Sequence, residues 1–262
     1  MTSQESGVRR LEWTLTTAES LRKLTEESAT APVVIDYILS KQEVLTTRDV
    51  IDALFLVYDL LVWSATSFAM PISTVVRMLS LPLLVALQRS AIAASLQSGP
   101  SPWPQWEHVA VGGTFDRLHA GHRLLLSAAR YLCRSHLYIG VSGEALVADK
   151  AQKHNLQAFP ERCAAVQGFM LLLGSVVSHL STVNIHLVEL EDAAGPAATD
   201  PSLQALVVSE ETAAAATAIN RQRQERGLCE VVLVQVPILW QTRPDGKREK
   251  VSSTWLRQML NG

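Results

Sequence analysis

The run Val111-Gly112-Gly113-Thr114-Phe115-Asp116-Arg117-Leu118-His119-Ala120-Gly121-His122 gathers in one place the residue types that bind an anion. Val109-Ala110-Val111 reads as the end of a strand, and Gly112 and Gly113 permit a tight turn that brings backbone N–H groups close to a bound group. A helix opening near His119 adds free N–H groups and a positive end, the elements of a phosphate site. His119 and His122 are three residues apart, so they leave that helix start on one face. The helix end disfavours their protonation, yet a neutral ring still donates one hydrogen bond. Asp116 either caps the helix or holds the turn. A Gly-Gly turn alone is commonplace, and the GxGxxG spacing of a dinucleotide site is absent. The coincidence of turn, aromatic residue, acid and HxGH spacing is what points to phosphate chemistry.

A second candidate lies near the C-terminus, where Val251-Ser252-Ser253-Thr254 precedes a short helix expected over 255–260, with Arg257 one turn inside. Hydroxyls and unpaired N–H groups at such a start bind an anion or merely cap the helix. Lys247, Arg248 and Lys250 just upstream read as a solvated loop. Between the two candidates lie Lys150 and the run Ser209-Glu210-Glu211-Thr212, followed by Asn220 and Arg223 at i and i+3 of a helix. Glu210 and Glu211 equally suit a helix N-terminus, where the dipole favours acids.

These residues need a scaffold, and the chain from 107 onward alternates short β-rich runs with helix-like stretches. Strands are expected over 108–111, 136–141, 185–190, 206–208 and 231–236, and helices over 124–131, 162–178 and 212–226. That alternation implies an α/β, Rossmann-like parallel sheet with helices on both faces and a ligand site at the carboxyl ends of its strands. Ser98-Gly99-Pro100-Ser101-Pro102-Trp103-Pro104 concentrates turn formers, so 98–106 is expected to be a linker. Residues 1–97 read as a small all-helical region, with apolar positions such as Val50, Ile51, Leu54, Phe55, Tyr58 and Leu61 at helical spacing and a start at Thr46. That region shows no chemistry of its own.

Composition sets the outer limits. With 48% apolar and 18% charged residues and a formal charge of −2, the 262-residue chain has no net field for nucleic acid or an anionic membrane. Cys133, Cys163 and Cys229 form no CxxC pair, so neither a metal site nor a disulfide framework is expected, and the thiols suit a reducing compartment. The N-terminus lacks the apolar core of a secretory signal, and Glu5 and Glu12 argue against a transit peptide. The uncharged stretch 60–76 contains Pro71 and is too short to span a bilayer, and 163–188 is broken by polar residues, so no transmembrane segment is expected.

The motif Val109 to His122 resembles the signature of the HxGH nucleotidyltransferase superfamily. Together with Gly195-Pro196, Thr199-Asp200-Pro201-Ser202-Leu203, Leu206-Val207-Val208-Ser209-Glu210-Glu211-Thr212, Ile219-Asn220-Arg221-Gln222-Arg223 and Val251 to Arg257, it is most similar to phosphopantetheine adenylyltransferases of the eukaryotic type. The resemblance covers the chain from about 108 onward. It departs from the family at Ala213-Ala214-Ala215-Ala216, where relatives carry a Gly-Gly pair, and at Asp192-Ala193-Ala194-Gly195-Pro196, where a DPxGP run is common.

The resemblance implies transfer of the adenylyl group of ATP to 4′-phosphopantetheine, giving dephospho-coenzyme A and pyrophosphate. It assigns His122, His119 and Arg257 to catalysis and assigns ATP binding to Gly112, Gly113, Thr114, Phe115, His119, His122, Ser209, Glu210, Ser252, Ser253, Thr254 and Arg257. Thr114, Asp116 and Lys150 fall on the acceptor side. Magnesium is expected to arrive with ATP rather than on protein ligands. The GxxxxGK[ST] loop is absent from the sequence, which implies a separate dephospho-coenzyme A kinase. A cytoplasmic location is expected, with mitochondrial association left open, and residues 1–97 are a candidate for protein contact. The alternatives are another HxGH enzyme, acting on nicotinamide mononucleotide or as a cytidylyltransferase, and a non-catalytic nucleotide-binding interaction protein.

Overall fold

The computed structural model describes residues 105–259 except 149, 151–152, 177–181 and 243–245, together with 4–5, 8–13, 33–39, 47–48, 51–52, 54 and 74–80. Residues 98–104 of the linker expected over 98–106, and the helix start at Thr46, lie outside the described residues, while Trp106 at the end of that linker already opens a strand.

The N-terminal residues depart from the all-helical expectation. Strands β1 (Gln4–Glu5), β2 (Val8–Trp13), β3 (Val33–Leu39) and β4 (Thr74–Ser80) form a sheet in that order, β1 antiparallel to β2 and the others parallel. The physical reason is visible in Val33-Val34-Ile35 and Thr74-Val75-Val76, β-branched runs that lose rotamer freedom in a helix and pack well on a pleated surface. Helical spacing holds where residues 47–48, 51–52 and 54 are helical. There Arg48 pairs with Asp52 one turn on, at 2.8 Å.

The main sheet has the order β7-β6-β5-β8-β9, all parallel: β5 (Trp106–Gly113), β6 (Cys133–Ser142), β7 (Asn184–Leu190), β8 (Ala205–Ser209) and β9 (Val232–Val236). The chain leaves the central strand β5 first to one side and later returns to the other at β8. Ligands bind at the carboxyl end of such a switch point. Helix α1 (Ala120–Leu132) joins β5 to β6, α2 (Glu144–Val147) follows β6, and α3 (Phe159–Val176) leads to β7. Leu124, Leu126 and Ala128 of α1 and Val166, Phe169 and Leu173 of α3 share one core with Val109, Val111, Leu137 and Ile139. Helix α4 (Ala213–Glu225) covers the opposite face, where Ala216 and Ile219 meet Ala110, Leu206 and Val208. A hairpin of β10 (Trp240–Thr242) and β11 (Arg248–Lys250) leads into α5 (Ser253–Met259).

Ile51 and Leu54, 1% and 0% exposed, belong to the same core as α1 and β5, and β4 lies against α3. Ile51 and Leu54 are therefore packed into the sheet domain's own interior. Leu54→Ala is expected to cost about 2–5 kcal/mol, read as a fall in the unfolding midpoint of the whole protein. An unchanged midpoint would show that this segment folds apart from the domain.

Among the described residues no helix is long and apolar enough to cross a membrane.

Candidate active site

The turn after β5 is held in a strained backbone. Phe115 and Arg117 have φ of 53° and 47°, a region that residues with a Cβ rarely occupy. Burial holds it there: the Phe115 side chain is fully enclosed and meets His122 edge-on, ring centroids 5.4 Å apart. The loop 153–158 adds pins, because Gln157 Oε1 accepts from Arg117 N at 2.6 Å and Arg117 Nη2 donates to Asn155 O at 2.9 Å.

Helix α1 begins where expected, with His119 as its N-cap in extended conformation. His119 Nδ1 accepts the backbone N–H of His122 at 3.4 Å. An accepting Nδ1 carries no proton, so the neutral ring of His119 has its N–H on Nε2, a donor left for a ligand. The two imidazoles stack with centroids 3.8 Å apart and planes 19° from parallel. Gly121 makes this approach feasible, since a Cβ there would stand 3.2 Å from the His119 ring. Both rings are held neutral. Burial, then the charges of Arg123 and Lys250, lower the His119 pKa to about 3, and burial, then His119 and Lys150, push that of His122 well below its usual value. His122 Nδ1 is buried without a partner, an arrangement that concentrates at functional sites.

Asp116 ties the two phosphate-binding candidates together. It is fully buried, accepts from Gln157 N at 2.9 Å and from Arg257 Nη1 at 2.5 Å, and its carbonyl accepts from Ser253 Oγ at 2.7 Å. The HxGH turn and the Ser252-Ser253-Thr254 turn, far apart in sequence, are thereby brought into contact. Of the two roles open to Asp116, holding the turn is the one observed. Ser252 Oγ accepts from Trp255 N at 3.3 Å and caps α5, while Thr254 Oγ1 accepts from Arg257 Nη2 at 3.1 Å. Arg257, 3% exposed, thus has two guanidinium nitrogens bound to the protein itself.

Lys150 reaches the same place. Its Nζ donates to Thr114 Oγ1 at 2.5 Å, and burial, followed by the neighbouring Arg257 charge, lowers its pKa. Gly112 and Gly113 end β5 beside this group. Ser209 and Glu210 stand at the end of β8, where Ser209 Oγ lies 3.1 Å from Thr212 Oγ1 and Glu210 accepts from Ile238 N at 3.2 Å. Asn220 and Arg223 are placed away from these atoms. Asn220 exchanges two hydrogen bonds with the backbone of Val231, and Arg223, fully buried, donates to the carbonyls of Ala197, Asp200 and Cys229. Arg223 ties the loop between β7 and β8 to the segment that leads into β9, and Asn220 holds that segment.

Arg162 was not singled out in the sequence. It is fully buried at the start of α3 and donates to Gln157 O, Thr114 O and Ser142 O, clamping the ends of β5 and β6. The available signal was its helical spacing with Val166, Phe169 and Leu173, which puts a charge on a buried stripe. Alongside Gly112 the α4 face of the sheet carries a shallow depression lined by residues that include Tyr138, Leu190, Pro196, Leu206 and Ile219.

The family model described as cytidylyltransferase-like matches residues 110–259, more than half of the chain. The chain belongs to the cytidylyltransferase-like family. This cytidylyltransferase-like chain is 34% identical over 162 residues to the phosphopantetheine adenylyltransferase of Saccharomyces cerevisiae, covering 62% of this chain and 51% of that one. It is 36% identical over 155 residues to an uncharacterized protein of Schizosaccharomyces pombe, covering 58% and 47%. The phosphopantetheine adenylyltransferase of Methanopyrus kandleri is 36% identical over 157 residues, 60% of this chain and 92% of the archaeal one. The chain thus spans about half the length of the two fungal relatives and nearly all of the archaeal one.

Proposed function

We propose that the protein transfers the adenylyl group of ATP to 4′-phosphopantetheine, yielding dephospho-coenzyme A and pyrophosphate. The observation that carries this reading is the pair of stacked, neutral histidines at the start of α1, joined through Asp116 to the Ser252-Ser253-Thr254 turn. An oxygen of the acceptor's phosphate attacks the α-phosphorus, the bond from that phosphorus to the bridging oxygen of the β-phosphate breaks, and pyrophosphate leaves with the electron pair. The attacking phosphate is already anionic at neutral pH. No base is needed, so positioning and charge stabilisation supply the catalysis.

His119 and His122 donate neutral hydrogen bonds to the α- and β-phosphates, Thr114 and Lys150 hold the acceptor phosphate, and Ser209 with Glu210 meets the nucleoside. Arg257 acts by bracing Asp116 between the two turns. The names of the yeast and archaeal relatives support 4′-phosphopantetheine as acceptor. The one carboxylate buried among these groups, Asp116, is engaged by Arg257. Magnesium therefore fits as an ion carried by the nucleotide's phosphate oxygens and water, its usual arrangement in such sites, where it neutralises phosphate charge.

Pyrophosphate release by the full chain is the test, with ATP or CTP as donor and 4′-phosphopantetheine, nicotinamide mononucleotide, glycerol phosphate or phosphocholine as acceptor. Release with ATP and 4′-phosphopantetheine alone is expected. Release only with CTP would replace this reading by a cytidylyl transfer, and thermal stabilisation by ATP with no turnover for any acceptor would make the protein a nucleotide binder.

A further inference from the structure

We propose that Lys250 is a phosphate-binding residue whose ammonium is held by Glu211 in the nucleotide-free protein and passes to the outer phosphates when a nucleoside triphosphate binds. The inference deepens the functional reading above and rests on it. Lys250 ends strand β11 and its Nζ forms an ion pair with Glu211, in the turn between β8 and α4. The backbone beside it is fixed. Val251 N donates to Leu239 O at 3.0 Å, and Val251 O lies 3.9 Å from the point where a Cβ on Gly121 would stand, between His119 and His122. Lys250 therefore sits at the edge of the histidine pair, and its charge, after burial and Arg123, is one of the causes that keep His119 neutral.

The side chains of Lys250 and Glu211 are 33% and 51% exposed. A pair so open to water is held weakly, and a single carboxylate competes poorly against a triphosphate that offers several charged acceptors to one ammonium. Two other cations near the turn are more firmly engaged: Arg257 on Asp116 and Thr254, and Arg162 on three backbone carbonyls. Glu211 pairs with the lysine while the site is open and screens its charge. The exchange makes the ammonium available only when phosphate arrives.

The test measures affinities of the full chain for ATP, pyrophosphate and AMP by calorimetry, alongside turnover. Lys250→Ala is expected to weaken ATP and pyrophosphate roughly tenfold, the effect of losing one charge-assisted hydrogen bond, and to leave AMP within about twofold of the parent. Lys250→Gln serves as a second variant if the alanine protein melts early. Glu211→Gln is expected to tighten ATP, and to do so only while Lys250 is present. An unchanged ATP affinity in both lysine variants overturns the inference, as does a Glu211→Gln effect of equal size with and without Lys250, which would make the pair a structural tie. A parent protein that binds ATP and turns over while the lysine variants match it sinks this inference alone. A parent that binds no ATP sinks the functional reading with it.

Discussion

His122→Ala is expected to lower adenylyl transfer by roughly 10²–10³-fold, the usual effect of removing one preorganised donor from a developing oxyanion. The loss should appear in kcat with a smaller change in the KM for ATP, because the donor acts most strongly on charge that grows as the bond to pyrophosphate breaks. His122→Asn is expected to retain more turnover than His122→Ala, since an amide also donates a neutral hydrogen bond. Equal activity of the two variants would mean that the ring's shape or basicity matters instead. His119→Ala carries a second cost: its Nδ1 caps α1, and losing an N-cap costs about 0.5–2 kcal/mol of stability, so its turnover is compared at a temperature where both proteins are folded.

The same pair fixes a pH dependence. Both folded-state pKa values lie below the ordinary histidine value, that of His119 at about 3. As pH falls below about 6.5 the unfolded chain takes up protons at these rings and the folded protein does not. Stability from the pair is thus complete above that pH and declines as pH drops toward the folded value. The nitrogen resonances of His119 and His122 are expected not to titrate between pH 8 and pH 5, with His119 showing a protonated Nε2 and a bare Nδ1. A midpoint near 6.5 for either ring would mean that it donates as an imidazolium.

The main sheet was legible because each of its strands is a short apolar run bounded by turn residues and each connecting helix carries its own spacing. The strand expected over 136–141 is the core of β6, and the one expected over 231–236 covers the whole of β9. The N-terminal region was not, because Val33-Val34-Ile35 and Thr74-Val75-Val76 are apolar enough to match a helical face if branching at Cβ is ignored. At the site, local features were readable: a Gly-Gly turn, two histidines at a helix start, hydroxyls before another. What joins them was not, since Asp116 and Arg257 are 141 residues apart and no local pattern links them. For the same reason Asn220 and Arg223 looked available for a nucleotide while their partners are backbone groups on other segments. Lys250 read as part of a solvated loop because its partner Glu211 lies across the sheet's end.

Arg257→Ala is expected to destabilise the protein by about 3–5 kcal/mol, because it leaves the Asp116 carboxylate buried without its counter-charge. That is a large share of the roughly 5–15 kcal/mol that holds a typical domain together. Asp116→Ala strands the opposite charge and should cost a similar amount, whereas the double variant, with neither charge, should cost less than the sum of the two. Denaturant midpoints of the four proteins measure this coupling. Turnover is read where each is folded, and there both single variants should also lose activity, since the Asp116 carboxylate is what keeps the Gln157 backbone and the Arg257 guanidinium on the HxGH turn. Arg257→Lys should not rescue, because an ammonium lacks the planar fork that reaches Asp116 and Thr254 together. A different outcome would reassign the arginine: if Arg257→Ala kept the parent's midpoint and altered only the affinity for ATP and pyrophosphate, the guanidinium would be a ligand for the leaving group. The buried pair would then be a resting position that it abandons when phosphate binds.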